Sequence, residues 1–276
     1  MRLFDLVEAQ HFCTPISAYK PGLGQSLVAF HRGRPRSSPL SEGSADFEIH
    51  RTSLLNFVER WILFGVANYR RALDMFVASN APWAQVTLYY SSFYAANAIL
   101  GMFGVWISQE FLVDVSNGKA NGQVLHVSRN IKSPTGVKGS HRVFWDFFYE
   151  GHTIISPWMP TKLKEATEAV SGDRTWQINA RNNVNYDMAG AYDSAVQFSR
   201  SFDVRHWRDI PGPLGQQLDV SEAMLRLALY FVGELKVRSF AFEGLGSGPR
   251  ERVFRELVSK AAPSLVNKSL FRELIF

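Results

Sequence analysis

The chain has little with which to brace itself covalently. Among its 276 residues there is one cysteine, Cys13, so no internal disulfide can form, and a reducing cytoplasm is the expected setting. The amino terminus reads MRLFDLVEAQHF; Asp5 and Glu8 interrupt any apolar run, so no secretory signal is expected there. Charge is also sparse. Asp, Glu, Lys and Arg together make up 20% of the chain, with a net charge of +5. That small excess favours phosphate-bearing partners only weakly. No phosphate-binding loop of the Walker kind occurs, and no Gly-x-Ser-x-Gly elbow. No His, Cys, Asp or Glu group has metal-ligand spacing, so neither metal nor cofactor is expected. GLGSGP (244–249) has neither a preceding strand nor a following Lys-Ser/Thr, and it reads as an interhelical turn.

Two stretches lack one kind of charge altogether. From Met75 to Gln109 no residue is charged, and the run is long enough to span a bilayer. It carries Gln85, Ser91, Ser92 and Asn97, however, and no basic flank on either side. The expectation is therefore a helix buried on all sides within a soluble bundle, with no membrane partner. From Val115 to Trp145 no residue is acidic, while Lys119, Arg129, Lys132, Lys138 and Arg142 accompany His126 and His141. Two readings of that bias are open, a solvated loop and a nucleic-acid surface.

What is abundant is hydrophobic payload: 46% apolar residues, with 21 Phe and 7 Trp. Such a chain buries a full core. Val58, Ile62, Val66, Tyr69, Leu73 and Phe76 recur at steps of three and four, predicting an amphipathic helix from about Asp46. Pro82 opens a second helix, which ends near Phe103 before Gly104. Its Ser91, Ser92, Ala95, Ala96 and Ala98 allow close approach of neighbours. Periodicity then fails over 105–140, where Asn117-Gly118 and Asn121-Gly122 mark turns and QVLHVSR reads as a strand. Helices are expected at about 141–151, 161–171 and within 173–200. Pro211-Gly212-Pro213 reads as a loop. A further helix follows from Asp219 and Glu222, spaced as a capping box. Residues 1–45, rich in Pro, Gly and Ser, read as an arm or linker. Two short helices about Pro263 close a 243–276 extension.

One polar constellation stands out. Residues 181–186 read Arg-Asn-Asn-Val-Asn-Tyr, between flanks that look buried. Either Asn182, Asn183 and Asn185 cap a helix break while Arg181 pairs with Asp173 or Asp187, or the segment is a site.

The long helix near 47–79, the small-and-aromatic TLYYSSFYAANAILGMFG (87–104) and the late Arg181-Asn182 pair together resemble the HEPN domain. The resemblance covers about 46–242. It implies a mainly α, antiparallel helix bundle, here with a hairpin or loop insertion at 105–140. It also implies an RNA-engaging protein of a prokaryotic toxin or antiviral defence system, acting as a metal-independent endoribonuclease. The alternative is a non-catalytic scaffold or regulatory subunit of a larger complex. RNA-cutting members carry an Arg, a polar residue and, after a short gap, a His. Here Arg181 and Asn182 match, and Tyr186 stands where the histidine would be. A phenol with a pKa of about 10 is a poor proton carrier near neutrality. On the resemblance, Arg181, Asn182 and Tyr186 form the catalytic set. Asn185, Lys119, Arg129, Lys132 and Lys138 would contact RNA. A homodimer or a heteromeric partner would complete the site.

Overall fold

The structure, a computed structural model, describes residues 1–13, 26–35, 38–77, 80–116, 122–129, 131–168, 174–186, 212–235 and 237. It is mainly helical with a small antiparallel sheet. The helices are α1 (Leu6–Cys13), α2 (Leu27–Arg32), α3 (Ala45–Val77), α4 (Ala81–Met102), α5 (Ser140–Ile155), α6 (Thr161–Glu168), α7 (Trp176–Tyr186) and α8 (Gly212–Glu234). The strands are β1 (Leu40–Ser41), β2 (Trp106–Ile107), β3 (Phe111–Val115) and β4 (Val124–Arg129). They lie in the order β1-β4-β3-β2. No described helix is long and apolar enough to cross a membrane.

α4 is the central element, and its composition explains why. It carries no charge and buries Ser91, Ser92, Ala95, Ala96 and Ala98, but it is not buried on all sides as expected, since an edge that includes Trp83, Tyr90 and Tyr94 stays open. α3 runs antiparallel to it at close range. Ser91 Oγ donates to the Gly65 carbonyl at 2.8 Å. A Cβ on Gly65 would lie 2.9 Å from a Leu225 methyl. α3 starts where Ser44 Oγ accepts the Phe47 amide, and Asp46 and Glu48 favour its positive end. Its apolar stripe is the expected one, with Val58, Ile62, Val66, Tyr69 and Phe76 all buried. Glu59, beside that stripe, is also buried. α4 stops at Phe103, and Gly104 follows at φ +77°, where a Cβ would also collide with the Phe4 ring.

The strand expected in QVLHVSR is β4. It pairs with β3 from Phe111↔Arg129 to Val115↔Leu125, and β1 adds on its other edge through Leu40↔Leu125. Two expectations need correction. α8 begins at Gly212, so Gly212 and Pro213 belong to a helix rather than a loop; proline is tolerated in a first turn, where its missing N–H has no helical partner. Glu222 is therefore inside the helix, where its carboxylate accepts the Tyr69 hydroxyl at 3.2 Å and pairs with Arg226. Residues 1–13 and 26–45 do not form a solvated arm where they are described. Phe4, Phe12, Leu27 and Leu40 are core residues, and Arg34 pairs with Asp46 at 2.7 Å. The segments 14–25, 36–37, 187–211 and 238–276 lie outside the described residues, and with them the 243–276 extension.

Two buried imidazoles join α2 to α3. His31 Nε2 lies 3.0 Å from His50 Nδ1, and both rings pack against Trp106. Burial, with the charges of Arg34 and Arg129, lowers the His31 pKa from 6.5 to about 4. Burial, then His31 and Arg34, holds His50 well below its ordinary value. As pH falls, the unfolded chain takes up these protons first, so stability declines between the two pKa values and levels off below them.

Two measurements follow. Urea unfolding between pH 7 and pH 4 should show that decline, at up to about 1.4 kcal/mol per pH unit per histidine. The His31→Gln/His50→Gln variant should lose most of it, and an unaltered pH dependence would contradict the assignment. Ala95→Leu or Ala96→Leu should each cost about 1–3 kcal/mol by overpacking, read from the urea midpoint.

Candidate functional site

The floor of the site is set by a knot of buried amides and hydroxyls. Ser92 Oγ donates to Gln177 Oε1 at 2.8 Å, and Gln217 Nε2 donates to both at 3.1 Å. Ser221 Oγ lies 2.8 Å from the Leu88 carbonyl. The knot fixes α7 and α8 against α4. One turn away Gln85 Nε2 donates to the Ala180 carbonyl at 3.1 Å. The next residue is Arg181, whose position is thereby determined.

Arg181 is half-buried, with its guanidinium carbon 5.0 Å from the centroid of the Tyr89 ring and 6.0 Å from that of Tyr90. Its Nη1 donates to the Tyr90 hydroxyl at 3.5 Å. Nε and Nη2 both donate to Asn182 Oδ1, at 3.2 and 2.6 Å. Among the described residues no carboxylate pairs with it. The amide oxygen of Asn182 thus occupies the fork that suits a carboxylate or a phosphate.

A histidine meets this arginine, though not through the spacing of the 181–186 segment. His141 stands in the first turn of α5, and its Nδ1 lies 2.8 Å from the Tyr89 hydroxyl. Trp145 Nε1 donates to the same hydroxyl at 3.2 Å. Burial raises the Tyr89 pKa, so the phenol keeps its proton and donates it to Nδ1. His141 Nε2 has no described partner and is not sequestered from water. Burial, then the charge of Arg181, lowers the pKa of His141 below its ordinary value. An anion seated on Arg181 would reverse the second of these effects and favour the imidazolium.

Both sides of the site are tied to one buried carboxylate. Asp146 Oδ2 accepts the Thr135 amide at 2.7 Å and the Thr135 hydroxyl at 2.9 Å. Asp146 Oδ1 accepts Arg174 Nη1 at 2.9 Å, just ahead of α7. Burial pushes the Asp146 carboxyl up, but hydrogen bonds from Thr135 and Arg174 outweigh it and hold the pKa below the usual carboxylate value.

The other residues singled out in the sequence are dispersed. Tyr186, at the end of α7, is 80% exposed; it sits five residues beyond Arg181, well round the helix from it. Asn185 is exposed. Arg129 serves the fold: its Nη2 donates to the carbonyls of His31 and Arg34 at 2.9 and 3.3 Å, and its guanidinium lies over Phe111. Lys132 and Lys138 are exposed in the segment leading to α5. Lys119, like Asp173 and Asp187, lies outside the described residues. Among the described residues no His/Cys/Asp/Glu group is arranged to hold a metal ion.

NMR titration of the His141 ring should give a pKa below 6.5, rising in Arg181→Gln and rising in wild type on addition of inorganic phosphate. A His141 pKa indifferent to both changes would separate the imidazole from the guanidinium.

Comparison with protein-family models, with curated proteins and with solved structures finds no match to this chain.

Proposed function

We propose that the chain engages RNA through Arg181 and cleaves it without a metal, as a HEPN-like endoribonuclease in which His141 supplies the proton transfer. One observation carries this reading: a guanidinium that no described carboxylate neutralises stands beside an imidazole whose Nε2 is not sequestered from water. A bland polar cluster would instead be closed by a counter-charge, as Arg174 is by Asp146.

The chemistry follows from those two groups. A phosphodiester displaces the Asn182 amide oxygen and takes two N–H donors of Arg181. The neighbouring 2′-hydroxyl oxygen bonds to phosphorus as the bond from phosphorus to the 5′-oxygen breaks. The departing 5′-oxygen takes the Nε2 proton of the His141 imidazolium, and the 2′-hydroxyl proton leaves to water. Tyr89 holds the ring in place at Nδ1, its hydroxyl oxygen accepting from Nδ1–H in the imidazolium. The resemblance adds the setting, a toxin or antiviral defence system. It also adds a second copy or a partner chain at the Arg181 segment. The exposure of Tyr186 favours one competing reading, a non-catalytic subunit in which Arg181 only binds.

Purified protein should cut mixed cellular RNA equally well with and without a chelator. Arg181→Ala should abolish cleavage, and His141→Gln should slow it by about 100-fold or more. Tyr186→Phe should leave the rate unchanged. Melting temperatures of all three variants check that the fold survives, with Arg181→Lys as a milder substitute. Cleavage lost on chelation, or RNA affinity undiminished in Arg181→Ala, would exclude the reading. Arg181-dependent binding without cleavage would leave the non-catalytic subunit.

A further inference from the structure

An aromatic stripe leaves the Arg181 site along the outer face of α4. Trp83, Tyr90 and Tyr94 are spaced seven and four residues apart, which puts them on one side of a helix. Trp83 is 57% exposed, and Tyr90 and Tyr94 are half-buried. The Tyr90 and Tyr94 rings lie 6.4 Å apart. Phe64 of α3, 53% exposed, extends the stripe with its ring 5.5 Å from Tyr94. Two exposed rings and two half-buried ones in one row on adjoining helices cost solvation that a fold alone does not require. α4 adds no charge to this face, and Arg181 stands over Tyr90 in its middle.

We infer that this stripe is a stacking platform for the bases of single-stranded RNA whose phosphate is held at Arg181, an inference that rests on the RNA-engaging reading above. A row of rings beside a cation matches the two chemistries of a single strand, a π-face on every base and a negative charge on every linkage. A duplex keeps its bases stacked on one another and offers none to the stripe. The charge balance selects this occupant over an acidic or basic protein segment. Among the described residues of the stripe there is no carboxylate, Arg181 lies at a fork that suits a phosphate, and exposed Arg60 and Arg71 share the α3 face of Phe64. Sequence selectivity is then weak, and selectivity for strandedness strong.

The test measures binding of a labelled 12-nucleotide oligouridylate, and of the same length of RNA as a duplex, to the full chain at several salt concentrations. Phe64→Ser and Trp83→Ser each remove an exposed ring, and Val7→Ser on α1, 75% exposed, is the control. Each stripe variant should weaken oligouridylate binding by about 5-fold or more, leave the salt slope unchanged, and leave duplex binding and the Val7→Ser control unaffected. Arg181→Ala should instead flatten the salt slope by about the share of one phosphate, roughly 0.7. Sedimentation of each variant is run alongside. Single-strand affinity unchanged in the Phe64→Ser/Trp83→Ser double variant overturns the platform while leaving the Arg181 reading standing. A wild-type dimer that dissociates in the stripe variants also overturns it and makes the stripe a subunit contact. If the rings matter and Arg181→Ala is silent, the Arg181 reading falls, and the inference falls with it in its claim that Arg181 holds the phosphate.

Discussion

The fold turns on the contact of α4 with α7 and α8 through Ser92, Gln177, Gln217 and Ser221. These four side chains are buried, and an amide left unpaired in such a place costs about 1–3 kcal/mol. Apolar packing between helices tolerates sliding by a fraction of a turn; a set of directional hydrogen bonds among buried amides and hydroxyls does not. The knot therefore fixes the register of α7 on α4. Everything at the site inherits that register: Ala180 on Gln85, Arg181 over Tyr89, and the fork of Arg181 beside its own Asn182. The absence of charge in α4 is the same fact seen from the sequence. A helix that must be approached on several sides has no room for solvated groups, and its hydroxyls and amides must find one another.

How much of this was legible in the sequence depends on the range of the signal. α3 and α4 announce themselves by periodicity, and Pro82 and Gly104 mark the ends of α4 because each obeys a local rule. Residues read as a linker failed that logic. Pro, Gly and Ser report only that a segment is irregular, and irregular chain is equally able to pack. Phe4, Phe12 and Leu40, which tie that segment into the core, belong to no periodic run. The start of α8 was misplaced for a related reason. Asp219 and Glu222 have capping spacing, yet Glu222 is held by Tyr69, more than a hundred residues away in sequence.

The site shows the same division. Arg181 was legible because polar residues are dense around it in a segment with apolar flanks. His141 was visible only as one of two histidines in a stretch without acids. Nothing in the spacing connects it with Arg181, since the connection runs through the hydroxyl of Tyr89 on a third helix. The resemblance directed attention to position 186, a turn further along the same helix, where the side chain faces water. The charge bias of 115–145 likewise joined residues with different work. Arg129 stitches α2 to the sheet, Thr135 is held by Asp146 just beyond the stretch, and only the His141 end approaches Arg181.

The electrostatics of that end argue that the cluster is more than a brace. Several other arginines of the fold are answered locally: Arg34 by Asp46, Arg51 by Glu48, Arg174 by Asp146, Arg226 by Glu222. Arg181 is answered by two phenol rings and a neutral amide, and it leans electrostatically on an imidazole already discouraged from protonation by burial. Cation–π contacts and hydrogen bonds hold Arg181 in place, while its charge disfavours the His141 imidazolium. On the proposed reading an anion on the guanidinium would replace the Asn182 amide oxygen and allow His141 to take a proton. The same reasoning extends to the rings beside it. Phe64 and Trp83 are exposed in the same row as Tyr90, over which Arg181 lies, and on the proposed reading they would meet the bases of a strand whose phosphate Arg181 holds.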